Sequence, residues 1–329
     1  MRFFAHANYD FIGARKWAYG ITALIMIPGL LLIAVLGLNY SIEFTGGTLV
    51  QITTTGAQPL SAGQLRSALD AGGVRGAEIQ SFGTDREFVV RARLSQRATG
   101  TQEEAQLTSV AVQRALQQRF GENAIRVDRV EAVGPKVGGE LRQKALTAIL
   151  LSFVATLVYL AFRFEFRFGV AAVVATAHDI LTTLAFIKYM NLEVSLVVVG
   201  AILTVVGYSL NDTIIIFDRT RENLHKYKRD DLLGILNRSI NETLPRSVLT
   251  HGTTIATTLA LLLFAGEVIR PFAWVMTFGI FTGTFSSIYI AGPILLWIEQ
   301  KWPGKEARGV KAHVAPASHR ATIAPPAEA

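Results

Sequence analysis

The sequence has no cysteine. That excludes thiolate zinc sites, iron–sulfur clusters, cysteine nucleophiles and disulfides. Charge is scarce as well. Asp, Glu, Lys and Arg make up 17% of the 329 residues, against about 25% in an ordinary soluble domain. No GxxxxGK[ST] run is present, so this chain carries no P-loop for ATP, and no HExxH is present to mark that type of intramembrane metalloprotease. An intramembrane aspartyl protease is also disfavoured. The acids that matter stand as His178-Asp179 and Asn211-Asp212, without Tyr-Asp or Gly-x-Gly-Asp surroundings. The net charge of +7 could suggest nucleic acid, but in a membrane protein basic residues gather in cytoplasmic loops.

What is present in quantity is apolar sequence. A membrane span needs about 20 mostly apolar residues, and six segments meet this: Trp17–Leu38, Ala145–Phe162, Phe168–Met190, Val194–Phe217, Ser247–Gly266 and Phe272–Ile298. The first exceeds the core of a signal peptide, and no small-residue cleavage site follows it. Lys and Arg set the orientation. Three lie in 1–16, two at Arg163 and Arg167, seven in Asp218–Arg246 and five after Ile298, whereas the short loops on the other side hold only Lys188 and Arg270. Both termini are therefore expected in the cytoplasm, and the long segment 39–144 outside. The expected organisation is an N-terminus 1–16, a span 17–38, an extracytoplasmic domain 39–144, and a five-helix region 145–298 interrupted by a cytoplasmic loop 218–246. A disordered, Ala/Pro-rich tail 299–329 ends the chain.

The outer segment reads as α+β. Strand patterns occur at Thr48–Thr54, Glu78–Phe82, Glu87–Leu94 and Ala124–Val133. Helices are expected over Ser61–Ala71, opened by a Ser cap, and Thr101–Phe120, with Leu107, Ala111 and Leu116 buried. The order βαββαβ predicts a ferredoxin-like split unit with a hairpin through Thr84-Asp85-Arg86. Nothing in it looks catalytic, since 39–144 contains no His. A docking or substrate-handling role fits better.

Ionisable residues inside spans are costly, by at least about 2.5–3.5 kcal/mol each, and so are informative. His178-Asp179 falls midway along the third span, about 16 Å from the cytoplasmic face at 1.5 Å per residue. Asp212 lies near the cytoplasmic end of the fourth span, Arg246 at the start of the fifth, and His251 a turn and a half further in. Helical spacing places Thr204, Tyr208, Asn211 and Asp212 on one face, and Thr250, Thr253, Thr254, Thr257 and Thr258 on another. Thr176, Asp179 and Thr183 line a third. These faces predict a polar seam where the third, fourth and fifth spans meet. The plainer alternatives are Ser/Thr helix packing, a static Asp212–Arg246 pair and a packed His178. In the sixth span, Gly279, Gly283 and Ser286/Ser287 have small-xxx-small spacing, which argues for close packing rather than chemistry.

Several runs together resemble the SecF family, within the SecD/SecF group of the resistance-nodulation-division superfamily. They are Phe11–Lys16 (FIGARK), Ile42–Thr48 (IEFTGGT), Val133–Gly138 (VGPKVG), Arg163–Phe168 (RFEFRF), Gly207–Thr213 (GYSLNDT), Phe217–Asn223 (FDRTREN), Asn241–Arg246 (NETLPR) and Gly283–Ser287 (GTFSS). The resemblance implies a polytopic α-helical membrane protein of six helices with one ferredoxin-like domain between the first two. It implies no covalent chemistry and no cofactor or metal. The implied partners are SecD, the SecYEG translocon, YajC-like and YidC-like membrane proteins and an unfolded preprotein. The implied role is export across the bacterial inner membrane driven by the proton-motive force. Family residues tied to proton coupling map onto Asp212 and Arg246, with Asp179, Asn211 and Thr250 as further members of the polar path. Glu43 departs from the Asp frequent there, and His251 stands where small polar residues are common, so the resemblance gives it no relay role. The alternative is a structural assembly factor for the translocase without proton coupling. An efflux half-transporter fits less well, because such pumps carry larger outer domains.

Overall fold

Two physically different regions alternate along the chain, one built on a sheet and one on long apolar helices. The computed structural model describes residues 7–56, 59–92, 102–163, 165–228, 230–266 and 268–302. The expected tail from 303 onward, and the end of the strand pattern at 93–94, lie outside the described residues.

The sheet region follows a first helix, α1 (Arg15–Leu36), and a single turn, α2 (Ile42–Thr45). Its elements are β1 (Gly47–Thr54), α3 (Ala62–Ala71), β2 (Glu78–Phe82), β3 (Thr84–Ala92), α4 (Gln102–Phe120) and β4 (Ile125–Val133). The strands form one antiparallel sheet in the order β2-β3-β1-β4. Alternation places Val50, Ile52, Phe88 and Val90 on one face, where they pack with Leu65, Leu69, Val112 and Leu116 of the two helices. Ser61 opens α3 through a reciprocal capping box with Gln64.

Two expectations shift here. The hairpin turns at Gly83, whose φ of +77° suits glycine, and Phe82 pairs with Thr84. Thr84-Asp85-Arg86 therefore belongs to β3 and is not a loop. On α4, Leu116 is buried as expected, but Leu107 and Ala111 are exposed. Nine residues at 100° each put Leu107 on the side of the helix opposite Leu116, so one face cannot bury both.

The remaining helices are α5 (Pro135–Arg163), α6 (Phe166–Tyr189), α7 (Leu196–Lys226), α8 (Leu232–Phe264), α9 (Arg270–Ser286) and α10 (Gly292–Lys301). A π-helical turn over Ser287–Ala291 joins α9 to α10. Together with α1, and counting α9 through α10 as one, six helical stretches among the described residues are long and apolar enough to cross a membrane. α6, α7 and the α9–α10 stretch form the centre, each burying more than half of its apolar window, while α1, α5 and α8 bury far less. The segment 218–246, expected as a loop from its charges, is helical over 218–226 and 232–246. Its charges are what tie the two helical extensions together: Arg219 donates to Glu242 at 2.7 Å and Asn223 to Glu242 at 2.8 Å. The helix α10 likewise carries regular structure to Lys301, past the expected boundary at 298.

The sheet region is seated on the helices at the loop before α7 and at the start of α5. Val194 N donates to Asn39 O at 2.7 Å, and Ser41 N to Val194 O at 3.0 Å. Arg91 of β3 pairs with Glu193, and Glu78 lies 4.0 Å from the same guanidinium. Glu43 accepts from Leu196 N, the first residue of α7, at 2.6 Å, where a helix N-terminus favours an anion. Beneath it, Gly138 of α5 abuts the Gly46 backbone so closely that a Cβ would sit 2.9 Å from Gly46 N.

Burial pushes the Glu193 carboxyl above the usual glutamate range. Arg91 opposes this, and Glu43 and Glu78 add to it. A raised value means that the seated form holds the proton more tightly. Glu193 therefore favours seating most below the ordinary glutamate pKa, and loses that contribution as pH rises through the raised value. Arg91→Met would leave Glu193 among acids alone. Amide exchange at 192–196 should rise about tenfold at neutral pH, equivalent to about 1.4 kcal/mol, and the excess should shrink on acidification. Unchanged exchange would show that the backbone contacts alone hold the seat.

Candidate functional site

Two carboxylates buried inside the helical unit, Asp179 and Asp212, stand in opposite states of hydrogen bonding. Asp179, on α6, is 0% exposed. Its Oδ2 accepts from Ser209 of α7 at 2.5 Å and from Ser286 of α9 at 2.7 Å, and His178 Nδ1 lies 3.0 Å from its Oδ1. With Asp179 ionised, the imidazole carries its proton on Nδ1 and donates it. Three polar groups from three helices converge on one carboxyl.

Small residues make that convergence possible. A Cβ on Gly279 would fall 2.3 Å from Val205 Cγ2, and one on Gly283 would fall 2.9 Å from Ser209 Cβ. The small-xxx-small stripe therefore packs α9 onto α7 within this chain. At its end the π-helical turn begins with Ser287, whose Oγ lies 2.8 Å from Thr213 Oγ1. Single π-turns inside α-helices frequently occur at functional sites.

Asp212, on α7, is 2% exposed. Its Oδ1 accepts from Ser247 of α8 at 2.5 Å, while its Oδ2 is buried with no hydrogen-bond partner. One helical turn earlier on α7, the Tyr208 hydroxyl donates to Thr250 O at 3.1 Å and bonds the Thr254 hydroxyl. The Tyr208 ring lies 5.5 Å from the His251 ring, centre to centre.

The expected path residues divide. Asp212 and Thr250 face each other's helices, with Thr250 taking part through its carbonyl. Arg246 does not pair with Asp212: its side chain is exposed, and no ion pair or hydrogen bond joins the two among the described residues. Adjacent helix positions differ by about 100°, so when Ser247 turns inward, Arg246 turns out. It acts on Asp212 only as a more distant charge. Asn211 is exposed for the same reason and opens onto a groove with Gly207, Ser152 and Thr156 between α7 and α5. It does not share the face of Asp212.

The single seam expected between the third, fourth and fifth spans is two separate sites. One joins α6, α7 and α9 at Asp179, and the other joins α7 and α8 at Asp212. Of the threonine stripe, Thr254 and Thr258 reach across to other helices, whereas Thr253 and Thr257 bond carbonyls of their own helix and are exposed. Ser247 and Ser286 are the functional neighbours that reading by acids and bases missed. The available signal was a serine in an otherwise apolar helix, one turn or less from a landmark residue.

Comparison with known proteins agrees with this architecture. Residues 112–301 match the family described as protein export membrane protein SecD/SecF, C-terminal, and residues 31–57 match the SecD/SecF GG motif. The chain is 54% identical to the protein translocase subunit SecF of Gemmatimonas aurantiaca, covering 95% of each chain. It is 36% identical to that of Escherichia coli O157:H7, covering 89% of this chain and 88% of the relative. The crystal structure of SecDF, a translocon-associated membrane protein from Thermus thermophilus, superposes with a TM-score of 0.78 at 34% identity over 91% of this chain. This chain spans only 40% of that longer SecDF chain. Six apolar helices around buried polar sites, a GG turn leading into the sheet and identity along almost the whole length have one consequence: the chain is a multi-pass membrane protein and belongs to the SecF family of protein translocase subunits.

Proposed function

We propose that this protein acts with SecD to drive late steps of Sec-dependent export across the bacterial inner membrane, using the proton-motive force and Asp212 as the proton-carrying carboxylate. The observation that carries this is the half-satisfied Asp212: a buried acid with one oxygen bonded to Ser247 and the other unfilled. No ion pair among the described residues fixes its charge, and its second oxygen is open to a proton. The helix that bears it, α7, begins under the outer domain at Glu43 and Glu193. Movement of α7 therefore has a direct route to that domain.

The strand order β2-β3-β1-β4 and the βαββαβ sequence support a ferredoxin-like unit. The basic-residue asymmetry supports its placement outside, with both termini in the cytoplasm. A membrane partner is supported by polarity left open: Thr204, Asn211, Thr253 and Thr257 are exposed in spans of the isolated chain. Polar side chains at such depth are stabilised by packing against other helices, and a SecD half would supply them. In this reading Arg246 tunes Asp212 at a distance, Thr250 orients Tyr208 beside it, Asp179 anchors the three central helices and Asn211 faces the partner. SecYEG would deliver the chain to be moved, and the outer domain would hold it.

The purely structural reading draws support from Asp179, whose bonds are complete. Membrane vesicles lacking their own SecF separate the two. With this protein and SecD added, export of a Sec-dependent preprotein should increase only when a proton gradient is imposed. Equal stimulation with and without the gradient would favour the assembly factor.

A further inference from the structure

Two i, i+4 pairs face each other across the α7–α8 contact. On α7 they are Tyr208 and Asp212, and on α8 Ser247 and His251. Ser247 meets Asp212 by a hydrogen bond, and His251 meets Tyr208 by ring contact. His251 is thereby enclosed with the carboxylate. It is 4% exposed, and its Nδ1 is buried without a hydrogen-bond partner, as is Asp212 Oδ2. Two complementary polar atoms, one an imidazole nitrogen and one a carboxyl oxygen, are thus left unfilled on the same small face. A buried polar group without a partner is unfavourable, and a proton shared between two such groups would relieve both.

We propose that His251 is a working member of the Asp212 site, sharing the transported proton with its carboxyl. The proton passes between carboxyl oxygen and imidazole nitrogen, with no other bond made or broken. This rests on the reading of Asp212 as the carrier.

The charged and titratable surroundings support the pairing. Asp212 and His251 interact electrostatically, and the Ser247 carbonyl also interacts with the imidazole. From α7, the other titratable group at this level is Tyr208. From α8 it is Arg246, which points outward. α9 contains no acid or base after Arg270 at its far end, and α10 offers only Glu299 and Lys301 near its own end. The imidazole is therefore the base enclosed with Asp212, a place where the sequence alone led to an arginine.

The test uses the full chain in nanodiscs with its histidine rings labelled with nitrogen-15. His251 is assigned by its loss in His251→Gln, and its titration is followed in the wild type and in Asp212→Asn. Proton sharing predicts that removing the carboxyl moves the His251 titration by at least one pH unit, a tenfold change in proton affinity. It also predicts that His251→Gln moves the pH profile of gradient-driven export at normal abundance. A packing histidine would leave both unmoved, and that result overturns the proposal. If Asp212→Asn does not assemble, the coupling is read from the other side, as a shift of the Asp212 carboxyl infrared titration in His251→Gln. An unshifted band there also overturns it. Should Asp212→Asn export normally, the carrier reading fails, while the nitrogen-15 titration still decides whether the two groups share a proton.

Discussion

Asp212→Asn should accumulate normally, copurify with SecD and lose about tenfold or more of the gradient-dependent stimulation of export. Asparagine keeps an oxygen in the place where Asp212 Oδ1 accepts from Ser247, so the α7–α8 contact has what it needs. Its amide replaces the oxygen that has no partner, so no existing bond is lost. The one property removed is titration. An effect on export without an effect on assembly therefore points to the proton. Adding Arg246→Gln sharpens the comparison. Because Arg246 makes no contact with Asp212, the double variant should behave like Asp212→Asn alone. A scaffold that needed only balanced charge would instead regain function, and full stimulation by a well-expressed double variant would promote the assembly-factor reading.

Asp179→Ala should do the reverse and attack the fold. It leaves the Ser209 hydroxyl and the His178 imidazole buried without their carboxyl acceptor, and the Ser286 hydroxyl with only the Gly283 carbonyl of its own helix. Each orphaned group costs about 1–3 kcal/mol, against a total stability of about 5–15 kcal/mol for a typical domain. The three groups come from α6, α7 and α9, so the penalty falls on the centre of the membrane unit. Steady-state abundance should fall several-fold, with thermal unfolding in detergent at a clearly lower temperature. Asp179→Asn keeps one acceptor oxygen and should be milder. If Asp179→Ala accumulates and melts like the wild type, the three-helix anchor is not what holds this core.

Much of this arrangement was legible from residues alone. Apolar length located all six spans, because hydrocarbon thickness sets a minimum that few other segments meet. The short strand expected at Glu78–Phe82 has the bounds of β2 in the structure. Asp212 was found because an acid in a span stands out. The losses have specific causes. Charged stretches such as 218–246 look like loops, yet here the charges pair across two helices that continue beyond the apolar segment. Formal charge makes Arg246 conspicuous in the sequence and Ser247 not, although a one-residue step changes the facing by about 100°. Ser286 was set aside as packing because its partner, Asp179, lies 107 residues away in sequence, and no local pattern records that contact. The π-helical turn at Ser287–Ala291 leaves no periodic trace in five residues.

The central claim is that Asp212 gains and loses a proton as the protein works. Infrared difference spectra of the SecD complex in proteoliposomes, recorded as a proton gradient is imposed and then collapsed, test it directly. The account predicts a protonated-carboxyl band that appears and disappears with the gradient in the wild type and is missing in Asp212→Asn. A wild-type spectrum with no gradient-dependent carboxyl band, or one that persists unchanged in Asp212→Asn, would contradict it.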